Sequence, residues 1–122
     1  MILKVSSQNE FRFYPDISNN MELPENERFT VVLKRLNNVL NAKVWTSYTK
    51  EGGIEIDILK KYKKHIVKIE NAPLLQMESG EQRELTIDDL FNEEFTELEI
   101  ILNQIVDEIN RLSETGSLEV KK

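Results

Sequence analysis

Cysteine is absent from this chain, which removes disulfides, thiol nucleophiles and cysteine-ligated metals together and is compatible with a reducing compartment. A single histidine, His65, leaves no imidazole pair for a zinc motif. Only four glycines occur in 122 residues. The Gly52-Gly53 pair lacks both the glycine spacing and the Lys-Ser/Thr step that grip a phosphate. Ser6, Ser7, Ser47, Ser79, Ser113 and Ser117 lie in no nucleophile-elbow sequence. No apolar run approaches the roughly 20 residues that span a bilayer, and the opening MILKVSSQNEFRF lacks the apolar core of a secretory signal. These absences lead us to expect a cytoplasmic protein that is not an enzyme, with no cofactor, no metal and no membrane association.

What is present fits a globular fold: 39% hydrophobic and 31% charged residues in a length typical of one domain. The net charge of -6 is unevenly spread. Residues 1–70 carry 12 Lys and Arg against 9 Asp and Glu, whereas residues 71–122 carry 4 against 13. The acidity therefore belongs to the second portion, which repels nucleic acid and favours solubility or a basic partner.

Hydrophobic periodicity locates the elements. Phe11 and Phe13 alternate with polar neighbours over residues 10–14, a half-buried strand that Pro15 ends. Two prolines and three asparagines make residues 15–27 a loop. Residues 29–36 (FTVVLKRL) are rich in β-branched side chains and read as a strand, with Asn37-Asn38 as a turn. Residues 44–48 and 54–56 flank Gly52-Gly53 as a hairpin. Ile58, Tyr62 and Ile66 sit four apart, giving a short helix over residues 57–65, while residues 66–69 fit either that helix or a following strand. Glu78-Ser79-Gly80-Glu81 marks a second hairpin between residues 74–77 and 83–85. Thr86 and Asp89 form a capping-box pattern, with Asp in place of the preferred Glu or Gln.

The strongest pattern covers residues 95–112, where Phe95, Leu98, Ile101, Leu102, Ile105, Val106, Ile109 and Leu112 recur at spacings of three and four. At about 100° per residue they form one stripe of a helix. Asn92 is placed to cap it, Glu93, Glu94 and Glu97 suit its positive dipole end, Arg111 suits the other end, and Gly116 supplies a stop. The expected fold is α+β: N-terminal antiparallel strands and hairpins with a short central helix, packed against a long C-terminal amphipathic helix. Residues 1–116 form the single domain and residues 117–122 a flexible tail.

Asp88-Asp89, Glu93-Glu94 and Asp107-Glu108 are paired carboxylates, but a general acid needs a cleft and a partner that shift its pKa. We expect solvated helix surface at all three. His65 has no recognisable nucleophile or acid partner motif around it and reads as a surface or half-buried structural histidine. Lys60, Lys61, Lys63, Lys64 and Lys68, interleaved with Tyr62, could contact phosphates. Without a nucleic-acid fold signature they read better as a solvated face or a surface meeting the acidic portion of the chain. Ile100 falls about 140° from Phe95, outside the apolar stripe. It is either a solitary exposed side chain or a contact with another chain, and Leu118 and Val120 pose the same choice. Those three residues are the candidate partner-binding positions, for another protein or for a second copy in a homo-oligomer.

The segment FRFYPDISNNMELPENERFTV, residues 11–31, resembles the opening of small tail assembly chaperones of long-tailed bacteriophages. Its Asn20-Met21-Glu22-Leu23-Pro24-Glu25 matches that family's acidic Asn-x-Glu-Leu-Pro-Glu segment, with Met21 where a basic residue is usual. The order that follows is also similar: Ile66-Val67-Lys68-Ile69-Glu70-Asn71, a hairpin, Thr86-Ile87-Asp88-Asp89-Leu90, and a helix reaching Leu112-Ser113. The resemblance implies a non-catalytic protein that binds the tape measure protein during tail assembly in the host cytoplasm. The alternatives are a tail or head-tail joining protein retained in the virion and an acidic inhibitor of a host nucleic-acid enzyme.

Overall fold

The structure, a computed structural model, describes residues 1–5, 9–37, 46–48, 54–56 and 58–115. Its class is α+β. Strand β2 (Thr30–Lys34) is central, and Thr30, Val31, Val32 and Leu33 are all buried, so both of its faces leave water. Strands β1 (Glu10–Phe13) and β5 (Ile66–Glu70) flank it, both antiparallel, in the order β1-β2-β5. Phe11 pairs with Leu33 and Phe13 with Val31, so the alternation of β1 turns both rings toward the core and leaves Glu10 and Arg12 exposed.

The β2–β5 register jumps from Val32 opposite Lys68 to Leu33 opposite Ile66, which makes Val67 the extra residue of a bulge. Consecutive exposure of Val67 and Lys68 follows. This settles residues 66–69 as strand. Helix α1 (Ile58–Lys64) ends before them at His65, whose amide donates to the Tyr62 carbonyl at 3.1 Å.

Two hairpins form separate two-stranded sheets. Strands β3 (Thr46–Tyr48) and β4 (Ile54–Ile56) pair antiparallel, while the reversal at Gly52-Gly53 and the turn residue Asn38 lie outside the described residues. Strands β6 (Leu74–Gln76) and β7 (Gln82–Glu84) form the second. Its reversal is closed by the Met77 amide on the Glu81 carbonyl at 2.7 Å and the Gly80 amide on the Met77 carbonyl at 2.8 Å. Gly80 takes φ +89°, a conformation that costs a residue with a Cβ and costs glycine little.

Helix α2 (Ile87–Leu90) follows, then a 3-10 turn (Thr96–Leu98), then helix α3 (Glu99–Thr115). The entry to α3 departs from the sequence expectation. Asn92 does not cap it: its Oδ1 accepts from the Glu94 amide at 3.0 Å, and its carbonyl accepts from Phe95 at 3.0 Å. An asparagine satisfied by its own turn competes with helix, so the α-helix proper begins four residues later than the stripe implied. Glu93 and Glu94 consequently precede the helix. At the far end α3 runs through Thr115, beyond Leu112. Arg111 therefore precedes the last turn, where it donates to Glu108 at 2.6 and 2.8 Å. Residues 116–122, which include Gly116, Leu118 and Val120, lie outside the described residues.

Among the described residues one apolar cluster joins the three-stranded sheet to the segment after β7 and the helices that follow: Phe29, Val31 and Leu33, Ile66, Leu85 after β7, Leu90 of α2, and Leu98, Ile101, Ile105, Ile109 and Leu112 along the helix stripe. Ile105 and Ile109 are completely buried. Each such side chain contributes about 2 to 3 kcal/mol by leaving water.

Candidate partner surface

The β6–β7 hairpin is tied to α2 through Asp89. The Thr86 Oγ1 accepts from the Asp89 amide at 3.3 Å while the Asp89 carboxylate accepts from the Thr86 amide at 2.8 Å, which is the reciprocal capping box. Arg83 of β7 adds a two-pronged contact to the same carboxylate, at 2.6 and 2.7 Å. The guanidinium, reinforced by the Thr86 donors, holds the Asp89 carboxyl far below the usual carboxylate range against the opposing effect of its burial. Asp89 is thus a buried anchor, contrary to the expectation of solvated surface. Its neighbour Asp88 is solvated, with an 82% exposed side chain paired to Lys63 of α1.

Holding the hairpin there leaves a groove of about 700 Å³ between β6 with its turn and the approach to α3. Leu74, Leu75, Phe95 and Leu98 supply its apolar lining; Glu78, Glu94 and Glu97 supply its charge. Among the described residues none of these three glutamates has an ion-pair partner. Leu74 is 62% exposed. Along α3, Ile100 is 58% exposed, one turn after Glu97, and its outward neighbours at helical spacing are Asn103 and Asp107, both exposed. An isoleucine is therefore displayed on an acidic and polar stripe. Of the three predicted partner positions, Ile100 is on the surface, and Leu118 and Val120 lie outside the described residues.

Two lysines of the basic cluster are engaged with the protein's own carboxylates. Lys63 pairs with Asp88 and stands 6.0 Å from the Phe91 ring; Lys68 meets Glu70 at 3.2 Å, beside Arg12 at 2.5 Å. The Glu70 carboxyl is lowered chiefly by Arg12 and then by Lys68. Tyr62 donates its hydroxyl to Asn110 of α3 at 3.1 Å. His65 is 1% exposed, with Nδ1 2.9 Å from the Lys34 carbonyl, which can only accept, so that nitrogen carries a proton. Burial lowers its pKa, and the nearby Lys61, Lys34 and Lys64 charges act in the same direction against the Lys34 carbonyl contact. The ring is thus more deeply buried than the surface or half-buried position expected of it.

The loop over residues 15–27 is organised around Asn20, the first residue of the segment that carries the family resemblance. Buried Asn20 donates to the carbonyls of Pro15 at 2.8 Å and Phe29 at 3.0 Å, and accepts from the Phe29 amide at 2.8 Å. Arg28 donates to the Leu23 and Met21 carbonyls at 2.9 and 3.1 Å and stacks 5.0 Å from the Tyr14 ring. Gln104 of α3 holds the loop from below, accepting from the Asp16 amide at 2.7 Å and donating to its carbonyl at 3.3 Å. The motif thereby closes a loop and leaves Met21 and Leu23 facing solvent.

Sequence reasoning missed the groove, whose two walls are separated by the whole of β7 and α2. The adjacent Leu74 and Leu75 could have flagged one wall, but nothing local marks Phe95 as its counterpart. Among the described residues no helix is long and apolar enough to cross a membrane, and no cluster of side chains is suited to hold a metal ion. Comparison of the chain with protein-family models, with curated proteins and with solved structures gives no match.

Proposed function

We propose that this protein is a non-catalytic tail assembly chaperone of a long-tailed bacteriophage, acting in the host bacterial cytoplasm on the tape measure protein. The observation that carries the reading is Ile100, an exposed apolar side chain on the acidic and polar outer stripe of α3. An acidic body with a small apolar contact can hold an aggregation-prone helical partner in solution: the apolar side chain covers part of the partner, and the surrounding charge keeps the complex hydrated. The order of motifs from Phe11 to Leu112 supports the same reading through its resemblance to that family.

Co-expression with the tape measure protein of the same phage tests it. The expected result is a higher soluble yield of that protein and its co-purification with this chain. Unchanged solubility without co-purification would overturn the reading. Protein identification on purified particles separates a chaperone, which leaves, from a tail or joining protein, which stays.

A further inference from the structure

We propose that the groove between β6 and the approach to α3 receives residues 1–5 of a second copy of this chain. The inference stands independently of the chaperone reading, because both halves of the contact are displayed by the chain itself. Residues 1–5 follow no helix or strand, and Met1, Ile2, Leu3 and Val5 are 112%, 89%, 64% and 93% exposed. Four large apolar side chains within five residues form a patch that water disfavours. Lys4 places a positive charge among them.

The groove offers the complement. Leu74, Leu75, Phe95 and Leu98 can take apolar side chains, and Glu78, Glu94 and Glu97 can meet Lys4. Strand β6 borders the groove and, among the described residues, pairs only with β7. An extended segment can lie along its other edge, where backbone hydrogen bonds give affinity and alternating side chains give register. The segment Ile2-Leu3-Lys4-Val5 suits this, being mostly branched and apolar. Apolar contact provides the drive, and the Lys4–glutamate pairing selects this groove over other apolar surface.

Sedimentation velocity of the full chain over a concentration series tests the proposal. We expect reversible association with a midpoint on the order of 100 μM or tighter, in keeping with a small interface. The double variant Ile2→Asp/Leu3→Asp should weaken it at least about tenfold, as should Leu74→Asp; both change exposed side chains, so the fold survives. The charge arm is decisive for the groove. Lys4→Glu and the double variant Glu94→Lys/Glu97→Lys should each associate poorly alone, and their mixture should recover association. A monomer at every concentration overturns the proposal, including one in which residues 1–5 are protected from proteolysis by folding onto their own groove. Association that persists in the Ile2→Asp/Leu3→Asp variant, or mixing that restores nothing, overturns it as well.

Discussion

In the β1-β2-β5 sheet the central strand loses water on both faces, with Val31 and Leu33 completely buried against a helix stripe that includes Ile105 and Ile109. In the β6–β7 hairpin, by contrast, Leu74, Gln76, Gln82 and Glu84 remain exposed, and attachment to α2 runs through one buried carboxylate. The sheet is held mainly by apolar burial, which has no preferred direction. The hairpin, anchored in the same core by Leu75 and Leu85, has in addition directional polar contacts that aim it. A groove wall must be aimed, so the difference in chemistry follows the difference in task.

The comparison is broken most forcefully through the core that both regions share. Ile109→Ala removes a completely buried side chain and should cost about 2 to 5 kcal/mol of unfolding free energy, read from urea denaturation. Because the cluster is common, sheet and hairpin should lose protection together. Asp89→Ala should cost about 2 kcal/mol, from the lost cap and the charge-assisted contacts of Arg83. Here the effect should be regional. Amide exchange is expected to rise over residues 74–76 and 82–90 while β2 stays protected; equal loss in β2 would show that the two regions are not separately secured.

Acid should distinguish the regions by pH window. His65 and Asp89 both have folded pKa values below their unfolded ones, so in each case the unfolded chain takes up the proton first. Each contribution is complete above the unfolded pKa and is lost as pH falls toward the folded value. For His65 the loss begins near pH 6.5 and should register where β2 meets β5; for Asp89 it begins near pH 4 and should register in the hairpin. Stability measured across these two windows in His65→Gln should lack the upper step and retain the lower one.

The legibility of these regions in the sequence differed for the same physical reason. Helix α3 and strand β2 were readable because burial on a regular element writes a period into the chain, and the stripe from Leu98 to Leu112 was identified correctly. Strand β5 was ambiguous because the bulge at Val67 breaks the alternation on which a strand assignment depends. The Thr86–Asp89 box was visible as a cap, yet its burial was not, since that requires Arg83 to arrive from another element. The start of α3 was misplaced because periodicity locates an apolar face and says little about a competing asparagine turn. The groove was invisible, its walls being brought together only by the path of the chain between them.

The smallest expected effect on the fold comes from the neighbour of a core residue. Ile101 is 5% exposed and Ile100 58% exposed, so a single step along α3 passes from the core to the outer surface. Ile100→Asp should leave stability within about 0.5 kcal/mol, since the side chain contributes little burial and a carboxylate near the start of a helix suits its dipole. Under the chaperone reading the same change should reduce co-purification of the tape measure protein, because it puts charge where an apolar contact is needed. Unfolding of the variant would assign Ile100 to the core. A folded variant that binds as before would move the partner contact away from this stripe of α3.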